Sequence, residues 1–158
     1  MLQIKILGGI LVLFAGGMAA VSRARFEKKR LAVLDGWLGL LLYIRGQIDC
    51  YLMPLDEILA LADKTLLSSC MAKKEDTTLS AILASSSPYL DEESRRLLSA
   101  LVREIGNSYR EEQLKRCDFY IDALRTRREK TASELPARLK MGVTLSLCAA
   151  VGTAILLW

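Results

Sequence analysis

Hydrophobic positions in this chain follow two patterns, unbroken at the ends and periodic in the middle. Ile6 to Val21 and Met141 to Trp158 carry no charged residue. Each run approaches the length of about 20 residues that an α-helix needs to cross about 30 Å of hydrocarbon. Leu2 to Ile4 lengthen the first run, and Lys5 can extend its ammonium to the interface. After the first run, apolar residues recur every three or four positions. Leu34, Trp37, Leu38, Leu41, Ile44, Ile48, Tyr51 and Leu52 predict the buried stripe of one long helix from about Phe26 to Leu52. Met53-Pro54 ends or kinks it, because the residue before proline is pushed out of the α region. Gly36, Gly39 and Gly46 each weaken such a helix by about 1 kcal/mol relative to alanine, so they mark close packing or a bend.

Shorter periodic segments follow. A helix is predicted after Pro54 with an apolar face of Leu55, Ile58, Leu59, Ala62 and Leu66. Asp56 and Glu57 lie in its first turn, where the helix dipole favours anions. Ser68 to Asp76 reads as a polar connection. A short helix then opens near Thr77 or Thr78, runs through Leu79, Ile82 and Leu83, and is broken by Ser85-Ser86-Ser87-Pro88. Asp91, Glu92 and Glu93 begin the next helix, whose stripe is Leu97, Leu98, Leu101, Val102 and Ile105, and Gly106-Asn107 supplies a left-handed end. Ser108-Tyr109-Arg110-Glu111 fits a capping box. A long last helix is therefore expected from Tyr109, with Leu114, Cys117, Ile121 and Leu124 inward, and with Glu111 and Glu112 four residues before Lys115 and Arg116 as ion pairs. Pro136 is expected to kink the chain just before the second apolar run.

No stretch shows the sustained alternation of a strand. The expected fold is all-α: an antiparallel helical bundle (23–137) flanked by an N-terminal (1–22) and a C-terminal (138–158) transmembrane helix. Orientation follows from the flanks. Arg23, Arg25, Lys28, Lys29 and Arg30 follow the first run, and Arg125, Arg127, Arg128, Lys130, Arg138 and Lys140 precede the second. These two basic collars put the bundle in the cytoplasm by the positive-inside rule. The net charge of +4 therefore describes the collars. Between residues 31 and 122 carboxylates outnumber cations, so the body of the bundle is acidic. A cleaved signal ending near Gly17-Met18-Ala19 is the competing reading of the N-terminus. Five cations directly after the apolar run oppose its export.

Composition then excludes much chemistry. Histidine is absent, which removes the commonest general base and metal ligand. Cys50, Cys70, Cys117 and Cys148 show no CxxC spacing, and in the cytoplasm they stay reduced. Gly8, Gly9, Gly16 and Gly17 are followed by no Gly-Lys-Ser/Thr and so form no phosphate loop. They read as small residues permitting close helix contact, as in Gly16-x3-Ala20, and Ser146, Ala150 and Ala154 do the same in the second run.

Several local features lie together in one order. A first helix leads from the membrane to Pro54-Leu55 and an acidic helix start. Gly106 precedes Tyr109-Arg110-Glu111-Glu112-Gln113-Leu114-Lys115, and Lys140-Met141-Gly142 opens the final apolar run. In these features the chain resembles the stage III sporulation protein AB family of endospore-forming Gram-positive bacteria. That family is similar to the cytoplasmic domain of protein F, the inner-membrane platform of type II secretion and type IV pilus systems. The chain departs from the family pattern at Glu112, where the family has a small residue, near Ile105-Gly106, where it has a Leu-Gly pair, and in a shorter middle between Ser68 and Pro88.

The resemblance implies a non-enzymatic platform or adaptor in the channel complex joining mother cell and forespore. It would lie in the mother-cell membrane around the engulfed forespore and dock the complex's cytosolic secretion-type ATPase, stage III sporulation protein AA, beside other membrane proteins of the complex. No cofactor, metal or nucleic acid is expected, and self-association is left open. Tyr109, Arg110, Glu112 and Lys115 are the expected partner-binding residues, because tyrosine and arginine are enriched at binding hot spots. The acidic turn at Asp56 and Glu57 is the alternative. Capping and solvated ion pairs explain the same residues without a partner. A membrane-surface regulatory or sensor module is the alternative function. It shares the collars, worth about 1 kcal/mol per cation near anionic lipid, but calls for a ligand pocket or signalling motif. An intramembrane enzyme or transporter would need ionisable groups in the spans, which offer only Thr144, Ser146, Cys148 and Thr153.

Overall fold

The computed structural model describes residues 2–51, 53–106 and 109–157, with the side chains of 2–15, 147, 150 and 154–157 outside the description. Among the described residues the fold is entirely helical, as the periodicity predicts. The helices are α1 (Leu2–Tyr51), α2 (Leu55–Leu61), α3 (Lys64–Ser69), α4 (Leu79–Ser86), α5 (Glu92–Glu104) and α6 (Arg110–Leu157), with a 3-10 turn at Ser87–Tyr89. The chain divides into two compact units, Arg30–Thr131 and a second formed by Met1–Lys29 with Ala132–Trp158.

In the Arg30–Thr131 unit, the α1 stripe buries Leu34, Trp37, Leu41, Ile44 and Ile48 as expected, and is widened by Val33 and Leu40. Tyr51, placed at the end of that stripe by its spacing, is instead 65% exposed. Ile58, Ile82, Leu98, Leu101 and Leu124 from the other helices complete the core. The one indole in it is satisfied: Trp37 Nε1 donates to Ser86 Oγ at 3.1 Å, and that hydroxyl donates to the Leu83 carbonyl.

Helix direction is legible from the cross-pairs. Asp35 meets Arg128, Arg45 meets Asp118 and Asp49 meets Arg110, so position along α6 falls as position along α1 rises, and the two are antiparallel. Gly36 earns its place in α1 by close approach. A Cβ there would lie 2.6 Å from the backbone carbonyl of Ser69, inside contact distance, so α3 can dock only against glycine. At Gly39 the nearest atom would be Leu66 Cδ1 at 3.2 Å, while Gly46 faces open space.

The structure corrects two element boundaries. The helix expected to run from Pro54 through Leu66 divides at Ala62-Asp63, because the Asp63 carboxylate accepts from the Thr65 backbone N–H (3.1 Å) and hydroxyl (2.7 Å) and caps a new helix, α3. The connection expected from Ser68 begins at Cys70. There Met71 turns left-handed (φ 60), with its N–H on the Ser68 carbonyl and the Ala72 N–H on the Leu67 carbonyl. This is the helix end that glycine usually makes, so the sequence carries no glycine signal for it. Gly106 does adopt the left-handed conformation expected of it (φ 96). Asn107 and Ser108, and with Ser108 the expected capping box, lie outside the described residues. Pro136 lies inside α6, which continues through it.

In the second unit, Ala20, Ala24 and Gly142 line a narrow crevice, and a Cβ on Gly142 would sit 3.6 Å from Arg23 Cδ. Small residues thus allow α1 and α6 to approach there, and Ala20 of the Gly16-x3-Ala20 pair that the spacing indicates is one of them. Among the described residues one stretch, Gly16–Tyr51, is long and apolar enough to cross a membrane, and 44% of its apolar window is buried. Much of that apolarity is the core stripe of α1. Residues 2–15 and 154–157 of the terminal runs are among those whose side chains lie outside the description.

Candidate partner-binding surface

The four expected residues at the start of α6 divide into two kinds. Arg110 is held in place: its guanidinium donates to the Ile48 carbonyl (3.4 Å), to the Asp49 carbonyl and to Asp49 Oδ1 (2.8 Å). Those carbonyls belong to the last turn of α1, where no intrahelical donor remains, so Arg110 caps that helix end. Glu112 is also engaged, accepting from Arg116 at 2.6 Å. Arg116 reaches on to the Glu104 carbonyl (3.4 Å), and the Tyr120 hydroxyl donates to the Glu104 carboxylate (2.8 Å). Burial first, and then the Glu104 carboxylate, push the Tyr120 phenol up to about 12. This network joins α6 to the end of α5. By contrast Tyr109 is 91% exposed, and Lys115 is exposed with no ion pair among the described residues.

Asp56 and Glu57 are exposed in the first turn of α2, whose start is made by Pro54 accepting the Glu57 and Ile58 N–H groups. The structure brings this turn to the same end of the bundle as the first surface. A Cβ on Gly106 would lie 3.7 Å from Leu55 Cδ2, and Arg110, four residues after Gly106, is bonded to Asp49. The two surfaces that the sequence offers as alternatives therefore lie toward the same end of the unit.

Among the collar residues, Arg23, Arg25, Lys28, Lys29, Lys130 and Lys140 are exposed and Arg30 is partly buried. Arg125 lies 3.7 Å from Asp122, and Arg138 pairs with Glu134 at 2.7 Å, both within one turn of α6. Arg127 and Arg128 have long-range partners. Arg127 contacts Asp91 (2.6 Å) and Glu93 at the start of α5, with its side chain only 22% exposed, and Arg128 bonds Asp35 on α1 (2.7 Å).

Sequence reasoning passed over a further feature. A cleft of about 700 Å³ opens between α2, α3 and the chain after Met71, with Lys64, Lys73 and Lys74 among the residues lining it. In the sequence Lys64 falls within the helix predicted after Pro54 and Lys73-Lys74 within the polar connection from Ser68 to Asp76, so nothing there sets them together. Among the described residues no cluster of histidine, cysteine and carboxylate side chains could hold a metal ion. Cys70 and Cys117 are buried, and burial pushes their thiols up to about 12 and about 11. Both stay protonated and unreactive at neutral pH.

Comparison with protein families returns the model of stage III sporulation protein AB, matching residues 5–158. No curated protein and no solved structure matches the chain.

Proposed function

The chain belongs to the stage III sporulation protein AB family, and from that premise we propose that it is a membrane-anchored, non-enzymatic platform of the mother cell–forespore channel complex, docking the cytosolic secretion-type ATPase, stage III sporulation protein AA. A role in sporulation follows from the family itself. The observation that carries the finer reading is the extent of the match, which takes in both apolar runs and the helical unit between them. In this reading segments 1–22 and 138–158 span the membrane, 23–137 faces the cytoplasm, and the bundle serves as the receiving surface in the manner of the protein F domain. Acidic character between the collars suits a basic partner.

The test is co-purification of the ATPase with the full chain in detergent. Charge reversal at Arg110 would also release the end of α1, so Tyr109 and Lys115 are the clean positions. Tyr109→Ala with Lys115→Glu should keep helicity and weaken binding tenfold or more, about 1.4 kcal/mol. Unchanged binding in that variant, with loss in Asp56→Lys/Glu57→Lys, moves the docking surface to the α2 turn. Failure of the wild-type chain to retain the ATPase overturns the reading. Orientation is tested with Cys50, the exposed thiol of the Arg30–Thr131 unit. A membrane-impermeant maleimide should label it in lysed cells and leave it untouched in intact ones.

The regulatory-module reading is favoured by one observation, the cleft beside α2 and α3, because such a module requires a place for a ligand. It predicts that altering the cleft changes sporulation while ATPase binding is retained.

A further inference from the structure

We propose that the cleft beside α2 and α3 is a docking site for a partner segment that presents a bulky apolar side chain next to two or more carboxylates. Its floor is apolar and made partly of small residues: Leu59 and Ala62 are buried, and Ala60 and Ala72 leave space that larger side chains would fill. A volume of about 700 Å³ exceeds any single side chain and lies within the range of about 300 to 1,000 Å³ typical of ligand sites.

The rim sets the sign of the partner's charge. Lys64 comes from the first turn of α3, and Lys73 and Lys74 from the connection after it. All three are exposed, and among the described residues none forms an ion pair. Elsewhere in the Arg30–Thr131 unit Arg45 is matched to Asp118 and Arg128 to Asp35, while Lys115 is unpaired like these lysines among the described residues. Two acids also line the cleft, Asp56, which is exposed, and Asp76, which carries its charge beside Lys73. The Asp76 carboxylate accepts from the Lys73 backbone N–H and the Ser85 hydroxyl, both at 2.7 Å. Three lysines against two carboxylates, Asp56 and Asp76, therefore leave the rim of an apolar floor net positive, and this local charge favours an anionic partner.

The wall is pre-formed. Met71 in its left-handed conformation redirects the chain, and Asp76 clips Lys73 on one side and Ser85 of α4 on the other. Little ordering remains to oppose binding. Ammonium groups carried on two separate elements suit several carboxylates spaced along a peptide better than the single headgroup of a fatty acid. The proposal stands with the ATPase docked at Tyr109 and Lys115, whereas docking at the α2 turn would overlap the cleft at Asp56.

The experiment uses the full chain in phosphatidylcholine nanodiscs, exposed to a random peptide library displayed on phage, with affinities of recovered peptides read by fluorescence anisotropy. Two variants are compared: Lys64→Glu/Lys73→Glu/Lys74→Glu, which reverses the rim, and Ala60→Trp, which fills the exposed floor with the lysines intact. Both should keep the wild-type circular dichroism and melting temperature, because they alter exposed positions. Recovered peptides should pair an aromatic or leucine residue with glutamate or aspartate, and lose tenfold or more in affinity on each variant. Peptides without an acidic bias, peptides that bind both variants as well as wild type, or no recovery at all would each overturn the proposal. So would dodecanoate binding the cleft while no acidic peptide competes with it.

Discussion

Along α1 and α6 three arginines meet carboxylates from distant parts of the chain, Arg45 on Asp118, Arg128 on Asp35 and Arg110 on Asp49. On the side of the unit built from α2, α3 and α4, the lysines meet none, and the polar contacts are local: Asp63 with Thr65, Thr78 with Ala81, Asp76 with Lys73 and Ser85. The difference has a physical origin. Two long antiparallel helices hold facing positions in register over many turns, and the rigid guanidinium fork can exploit such fixed geometry. Short helices joined by turns satisfy their ends with nearby serine, threonine and aspartate groups, which leaves flexible lysines in solvent. One side thus specifies how the helices are arranged, and the other leaves its lysines in solvent.

The comparison breaks most readily at the core that both sides share. Leu41→Ala should destabilise the full chain by about 2 to 5 kcal/mol in chemical denaturation followed by circular dichroism, since Leu41 is 1% exposed. A loss below about 1 kcal/mol would mean that α1 is not the organising helix. Next in size is Gly36→Ala, expected to cost about 1 to 3 kcal/mol because the added methyl meets the Ser69 backbone at 2.6 Å, which cannot yield as a side-chain tip would. Hydrogen exchange should then rise selectively in α3, the wall of the cleft, while the α1–α6 seam stays protected.

Arginine removal should divide by burial. Arg127→Met strips Asp91 and Glu93 of a partner whose side chain is 22% exposed, and should cost about 1.5 to 3 kcal/mol. Arg96→Met removes a pair whose arginine is 78% exposed, and should cost about 0.5 kcal/mol or less. Equal losses would dissolve the distinction. Neutralising the cleft with Lys64→Gln/Lys73→Gln/Lys74→Gln should change stability by no more than about 0.5 kcal/mol, because no ion pair is lost.

The smallest effect expected is in acid. The Arg45 guanidinium holds the Asp118 carboxyl below its usual value of 3.8, and the hydroxyl and N–H of Thr65 do the same for Asp63. Groups depressed in this way contribute stability that is fully present above the unfolded value and is lost as pH falls through the folded one. The denaturation midpoint should therefore decline below about pH 4. Arg45→Met should remove part of that decline, and Thr65→Val a separate part. An unchanged pH profile in both variants would show that neither contact favours the carboxylate.

The candidate surface was only partly readable before the fold was known. Tyr109, just before α6, and Lys115, on the side of α6 away from Cys117, are solvent-facing. Arg110 looked equally exposed by the same periodicity, yet it caps α1 through carbonyls 61 and 62 positions away. Arg127 and Arg128 look like ordinary members of a basic collar until Asp91 and Asp35 are brought beside them. The cleft had no signal in sequence, because its floor comes from ordinary helix positions and its turn uses Met71 where a glycine would have been informative.

The sequence alone determined the helical class, most of the faces that are buried, the breaks at Pro54 and Ser87-Pro88 and the separation of apolar ends from a charged middle. These depend on the spacing of side chains along a local backbone and on the cost of placing charge in an apolar medium. Tertiary structure decided which cations are neutralised, why Gly36 must lack a side chain, and where an empty volume is left between α2 and α3. Each of those depends on groups far apart in the chain arriving within a few ångströms of one another, and local spacing carries no information about that distance.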